Sequence, residues 1–168
     1  PFHELLEHIT KEKHEKERDY KNGAIQCDEL SEDNLKLGWR NFHLKLVFDE
    51  RIFYVVEVCF RGTFYHWVHL VGSPHEAKNY SYTSEFFGND SFRSHVYTSK
   101  VIPIDETASS IISNVDCITM PFKQLKKYFI DENRKYKYSV KIRNLKQEAK
   151  DENEESGISD TDEVMNKS

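Results

Sequence analysis

The sequence has 168 residues, a formal net charge of -5 and an aromatic content of 13%. A chain of this length supports one domain with a real core, since it buries roughly two-thirds of its unfolded surface on folding. The charge is uneven, because residues 148–168 contain eight acidic and two basic residues and the remainder is close to neutral. This balance argues against binding to nucleic acid or to an anionic membrane. No apolar run approaches the ~20 residues of a membrane span.

The N-terminal residues 1–18 are predicted to form a helix. Leu5, Leu6 and Ile9 make a short apolar stripe, and Lys and Glu fill the other positions. The densely charged run 15–22, stopped by Gly23, predicts a solvated helix end or a linker.

The next segments read as strands. Residues 24–30 predict a short edge strand, and a polar turn follows at 31–34. Residues 35–48 alternate between apolar and polar side chains, with a change of phase between Trp39 and Phe42 that predicts a bulge.

The middle of the chain predicts antiparallel strands joined by turns. Residues 52–60 are almost wholly apolar except for Glu57, which favours a central strand covered on both faces. Further strands are predicted at 63–71, at 80–86 and at 91–102. Turns are predicted between them at Asp49–Arg51, Arg61–Gly62, Ser73–Glu76 and Gly88–Asp90.

After Pro103, residues 105–108 resemble a helix entry, and a strand at 116–120 leads into a helix at 122–128. Residues 135–145 predict a last strand with one wet face. From residue 146 onward, low hydrophobicity and high net charge predict a disordered acidic tail. The fold class is therefore predicted to be all-β, an antiparallel sandwich with short helices, preceded by one N-terminal helix. A β-barrel that holds an apolar small molecule stays open as an alternative.

The sequence contains no pattern that predicts an active site. Cys27, Cys59 and Cys117 are odd in number and widely spaced, which is typical of buried thiols in a reducing compartment. His66 and His69 are an odd number of residues apart in one strand, so they face opposite sides of the sheet and are expected to be structural. Neither a Ser-His-Asp order with local support nor a glycine-rich phosphate loop is present.

Several landmarks in one order resemble the seven-in-absentia (Siah) family. Gly72, Ala77, Asn79, Tyr80 and Tyr82 follow the spacing of a family signature. Further matching positions on either side of it are Trp39, Glu85, Gly88, Ile104, the pair Asp116-Cys117, Phe129 and Asn133. The resemblance spans roughly residues 24–145 and implies a TRAF-like substrate-binding and dimerisation domain over that range.

The first helix resembles the last helix of the family's zinc-finger region. The resemblance implies that His8 and His14 are zinc ligands in the intact protein, because Zn²⁺ prefers four tetrahedral nitrogen and sulfur ligands. The alternative is that both are ordinary polar residues on a charged helix. No Cys pair precedes them in this sequence, so we expect at best weak metal binding by this chain alone.

Family members are RING-type ubiquitin ligases, in which a RING recruits the E2 enzyme and the sandwich binds substrates and forms homodimers. This sequence contains no Cys-x-x-Cys pair and therefore no RING. The resemblance implies a cytoplasmic protein, with the nucleus as a further compartment, that promotes ubiquitin-dependent degradation. A RING-less adaptor that binds peptides through the same sandwich is the main alternative.

The family's sandwich binds extended peptides as an added strand at a sheet edge. Trp39 matches a groove tryptophan of the family, and its alternative role is core packing. Arg40 and Asn41 stand where the family has apolar residues, so we expect a different peptide preference.

Overall fold

The computed structural model of the chain describes residues 18–19, 24–31, 40–90 and 92–149, with side chains from residue 45 onward. The predicted N-terminal helix as far as residue 17, the turn beyond residue 31, Trp39 and the tail beyond residue 149 lie outside the described residues.

Two β-sheets stack face to face. Sheet A contains β1 (Arg18–Asp19), β3 (Arg40–Phe48), β4 (Arg51–Phe60), β5 (Thr63–Leu70), β8 (Ile102–Pro103) and β9 (Ile118–Pro121), in the order β1-β3-β4-β5-β8 with β9 also on β5. Sheet B has the order β2-β10-β6-β7, from β2 (Ala24–Ser31), β10 (Lys135–Asn144), β6 (Tyr80–Phe87) and β7 (Ser94–Lys100). Three short helices connect them: α1 (Pro74–Ala77), α2 (Ala108–Asn114) and α3 (Phe122–Tyr128).

The pairing is antiparallel except for the short pairs β1–β3 and β5–β8. This arrangement confirms the predicted all-β sandwich with short helices. The alternative of a closed barrel is wrong, because the described strands form two separate sheets.

Tight turns connect the long hairpins of sheet A. Asp49 and Glu50 have φ values of 52° and 57°, and Arg61 and Gly62 have values of 50° and 77°. Two successive residues with positive φ form the two-residue turn whose twist matches that of antiparallel strands. The turns predicted at both positions are therefore confirmed.

Strand β4 is buried on both faces, as its apolar run predicts. Phe53 and Val55 belong to the core between the sheets, which the inner faces of β5, β6 and β10 complete. Tyr54 and Val56 face outward and form a second cluster with Trp67 and Ile111. Helix α2 thus covers the outer face of sheet A.

Three local predictions need correction. The predicted polar turn 73–76 contains α1: Ser73 accepts from the backbone N–H of Glu76, and Glu76 accepts from that of Ser73, which is a capping box. The predicted strand 91–102 is two strands, because the chain leaves β7 and crosses to sheet A, where β8 runs parallel to β5. The bulge in β3 lies between Phe42 and Leu44, later than expected.

The ends of the predicted domain also differ in detail. Arg18, assigned to the first helix, and Asp19 form a strand parallel to β3. After β10, residues 145–149 are helical. Among the described residues, no helix is long and apolar enough to cross a membrane.

Candidate functional site

A polar network lies between the two sheets, inside the hydrophobic core. Glu57 on β4, His66 on β5 and Ser84 on β6 are all completely buried. His66 Nδ1 lies 3.2 Å from Glu57 Oε1, and His66 Nε2 lies 2.8 Å from Ser84 Oγ. The hydroxyl of Tyr136 on β10 donates to Glu57 Oε2 at 2.6 Å. The network therefore connects two strands of sheet A to two strands of sheet B.

The order Ser84, His66, Glu57 is that of a hydrolytic triad, in which an imidazole bridges a hydroxyl and a carboxylate. A nucleophile must, however, lie about 3 Å from a reacting atom of the substrate. His66 instead packs edge-on against Phe86 and Tyr138, with ring centroids 5.1 and 5.4 Å away. No substrate can reach Ser84 in this packing, so the network is structural.

His69 occupies the opposite face of β5, as predicted. Its Nδ1 donates to the backbone carbonyl oxygens of Ile102 at 3.3 Å and Pro103 at 3.1 Å. The ring therefore fixes β8 against β5. The two histidines have separate structural roles and do not approach a common ligand.

Cys59 and Cys117 are also buried, each in one of the two core clusters. Burial, with a smaller contribution from the neighbouring Asp116, raises the pKa of Cys117 to about 11. The thiolate is the nucleophilic form of cysteine, so Cys117 is unsuited to nucleophilic chemistry.

An open strand edge is the accessible feature of sheet B. No described strand pairs with the outer edge of β7. Gly88 donates to the Arg93 carbonyl, and Val101 donates to the Tyr80 carbonyl. Hydrogen-bonded and non-hydrogen-bonded pairs alternate along an antiparallel ladder. The N–H and C=O groups that face away from β6 are therefore those of Ser94, Val96, Thr98 and Lys100.

A cleft lies at the beginning of this edge. Its volume is about 300 Å³, and it is lined by Arg93, Ser94, His95, Gln124, Tyr128 and Phe129. The guanidinium carbon of Arg93 lies 4.6 Å from the centre of the Tyr128 ring, a cation–π contact. Beside the cleft, Phe92 is 94% exposed. The edge and the cleft together offer backbone hydrogen bonds and a place for one large side chain.

The predicted site residues lie outside the described part of the chain. This holds for the groove residue Trp39 and for the proposed zinc ligands His8 and His14. Strand β3 begins directly after Trp39, where Arg40 pairs with Val58 of β4. Among the described residues, no cluster of His, Cys, Asp and Glu could hold a metal ion.

Sequence reasoning missed both the buried network and the open edge. Two features could have revealed the network: Glu57 is the one charged residue in the apolar run 52–60, and Ser84 lies on the apolar face of β6. No single residue predicts the open edge, because the edge depends on which strands pair with β7 in the folded chain.

The two stacked, mostly antiparallel sheets with short helices form a β-sandwich, and the family match places it among the TRAF-like domains. Residues 45–142 match the family described as "Sina, TRAF-like domain", and the chain belongs to this family. A comparison with curated proteins finds no match. In general terms, a domain of this family is a substrate-binding and dimerisation module.

Proposed function

We propose that this chain is the substrate-recognition and dimerisation module of a RING-type ubiquitin ligase that acts in ubiquitin-dependent protein degradation. Its membership of the Sina family supports this function. The observation that carries it is the contrast between the buried Ser84–His66–Glu57 network and the open edge of β7. The three side chains of the network are inaccessible, whereas the outward backbone groups of β7 are open to a partner.

The substrate binds as an extended peptide that adds a strand to β7. The outward N–H and C=O groups at four alternate positions, from Ser94 to Lys100, supply main-chain hydrogen bonds. In this mode, backbone bonds supply affinity and side-chain pockets supply specificity. The cleft beside Arg93 and Tyr128 takes one side chain of the peptide. An aromatic peptide side chain can stack on the Arg93 guanidinium, and a carboxylate can form an ion pair with it.

Trp39 is the second proposed element of the recognition surface. It directly precedes β3. Along the edge of β3 that faces away from β4, a described strand pairs only with Leu46 and Val47. In the intact protein, His8 and His14 hold a structural zinc ion together with two thiolates. The E2 enzyme is recruited by a RING elsewhere in that protein.

The recognition mode is tested with peptides selected from a random library on the full chain. Thr98→Pro removes one outward N–H, and proline is tolerated on edge strands. Thr98→Val is the matched control, because both changes remove the hydroxyl that lies 2.7 Å from Thr83 Oγ1. The loss of one main-chain hydrogen bond of about 1 kcal/mol predicts roughly fivefold weaker binding for Thr98→Pro than for Thr98→Val.

Equal affinities of the two Thr98 variants would contradict strand addition at β7. Trp39→Ala measured against the same peptides tests the second element, and we expect weaker binding. Light scattering on the full chain tests dimerisation, which a monomer at every concentration would refute.

The ligase role needs a separate measurement. A selected peptide fused to a reporter is incubated with the full-length gene product, E1, E2 and ubiquitin. Ubiquitination that is lost in Thr98→Pro and kept in Thr98→Val supports the ligase. Binding without ubiquitination supports the alternative, a RING-less adaptor that uses the same sandwich. The zinc content of the full-length protein, with and without His8→Ala and His14→Ala, tests the metal site.

A further inference from the structure

The outer face of sheet B is basic at one end. Strand register places Arg143 opposite Ser81 and Ser81 opposite Lys100. In the neighbouring row, Lys141 lies opposite Thr83. Directly opposite side chains on neighbouring strands have Cβ atoms about 5 Å apart, so the three cations lie on one patch. We call Lys100, Lys141 and Arg143 the basic end of sheet B.

The side chain of Arg143 on β10 contacts the neighbouring strand β6. Its Nη2 donates to Thr83 Oγ1 at 3.0 Å, and Thr83 Oγ1 lies 2.7 Å from Thr98 Oγ1. This bond holds the guanidinium over the outer face of sheet B, where its positive charge adds to that of Lys141.

The described carboxylates near the basic end offset its charge only in part. Glu85 lies in the row between Lys137 and Lys141. At the basic end, Asp116 pairs with Lys100 at 3.2 Å. No carboxylate in a described ion pair contacts Lys141 or Arg143.

The acidic end of the chain begins beside this patch. Strand β10 ends at Asn144, one residue after Arg143, and residues 145–149 continue as a helix. Four of the next six residues are acidic: Asp151, Glu152, Glu154 and Glu155. Six extended residues span about 20 Å, whereas β10 and β7 lie about 10 Å apart across two strand spacings. The segment can therefore reach every cation of the patch.

We propose that the chain's own acidic segment, residues 150–163, lies on the basic end of sheet B. Its carboxylates contact Lys141 and Lys100, and the charge of Arg143 adds to the attraction. The segment is polar, and the patch is a flat surface of cations and hydroxyls rather than an apolar groove. Because the segment is tethered beside its site, it is present at a high effective concentration, so several weak surface ion pairs suffice to hold it.

The test compares backbone amide chemical shifts of the full chain with those of a variant whose acidic segment is partly neutralised. This variant carries Glu152→Gln, Glu154→Gln and Glu155→Gln. The matched control carries Glu50→Gln, Asp105→Asn and Glu132→Gln, three exposed carboxylates outside the patch. Both variants change the net charge equally, so only a local contact distinguishes them.

We expect the segment variant to shift amides around Arg143, Thr83 and Lys100, and the control to leave them unchanged. These differences should disappear between about 0.1 M and about 1 M NaCl, where the Debye length falls from ~10 Å to ~3 Å. Lys141→Gln with Lys100→Gln should shift segment amides, whereas Lys78→Gln with Lys123→Gln should not.

Three results would each overturn the proposal. The first is unchanged amides on the outer face of sheet B. The second is a set of shift differences that persists at about 1 M NaCl. The third is a dependence on protein concentration, which would assign the occupant to a second copy. Peptide binding at β7 is measured independently through the Thr98 variants, so failure of this proposal leaves that test unaffected.

Discussion

Replacement of Tyr136 by phenylalanine tests the buried polar network that connects the two sheets. Tyr136→Phe removes only the hydroxyl that donates to Glu57 Oε2 at 2.6 Å. Both side chains are buried, so water cannot replace the lost donor. A buried acceptor that loses its donor costs about 1–3 kcal/mol. We therefore expect the free energy of unfolding to fall by about 2 kcal/mol, which lowers the Tm by about 4–8 °C in a chain of this size.

Tyr82→Phe is the matched control. Tyr82 also lies between the sheets, but its hydroxyl donates at 3.4 Å to the backbone carbonyl of His66, a neutral acceptor at the limit of hydrogen-bond distance. The same chemical change should cost about 0.5 kcal/mol here. Equilibrium urea unfolding of full-length variants measures both values, at one protein concentration because dimerisation makes stability concentration-dependent.

A double-mutant cycle makes the test specific to the pair. In a Glu57→Gln background, Tyr136→Phe should cost at most about 1 kcal/mol, because the carboxyl group that accepts this hydrogen bond has been replaced. An equal loss in Tyr136→Phe and Tyr82→Phe, or an unchanged cost in the Glu57→Gln background, would refute the assigned role of this hydrogen bond.

Two further predictions concern pH. The capping-box hydrogen bonds from Ser73, with a smaller effect of Arg51, lower the pKa of Glu76 below 4.5, so its contribution to stability is present above pH 4.5 and lost below it. In Glu76→Gln, the free energy of unfolding should therefore depend less on pH below pH 4.5, and an unchanged pH dependence would contradict this. The pKa of Cys117 rises from 9.0 to about 11, so its contribution falls as pH rises between these values. The difference in free energy of unfolding between the wild type and Cys117→Ala should therefore become smaller over this pH range. A constant difference would contradict the raised pKa of Cys117.

Local patterns predicted much of the fold. The apolar run of β4 indicated burial on both faces, and the alternation in β6 and β10 indicated one buried face. The spacing of Phe122, Leu125 and Phe129 predicted α3, in which Leu125 is buried. These elements are set by neighbouring residues, so a reading of the sequence recovers them.

Other features depend on contacts between distant residues. The segment 91–102 is divided into two strands because Ile102 leaves sheet B and pairs in parallel with β5. No local sequence pattern predicts this change of sheet. The Tyr136–Glu57 bond joins residues 79 positions apart. By contrast, Ser73 and Glu76 carry a recognisable capping box, so α1 was open to prediction from the sequence.

Recognition of an extended peptide by the open edge of β7 is tested most directly by amide hydrogen exchange. A peptide selected on the full chain is added, and protection is compared residue by residue with the free protein. The account predicts new protection at Ser94, Val96, Thr98 and Lys100, whose N–H groups face outward. The alternate residues His95, Tyr97 and Ser99 already bond to β6 and should change little. Protection elsewhere, with the outward amides of β7 unchanged, would contradict strand addition at this edge.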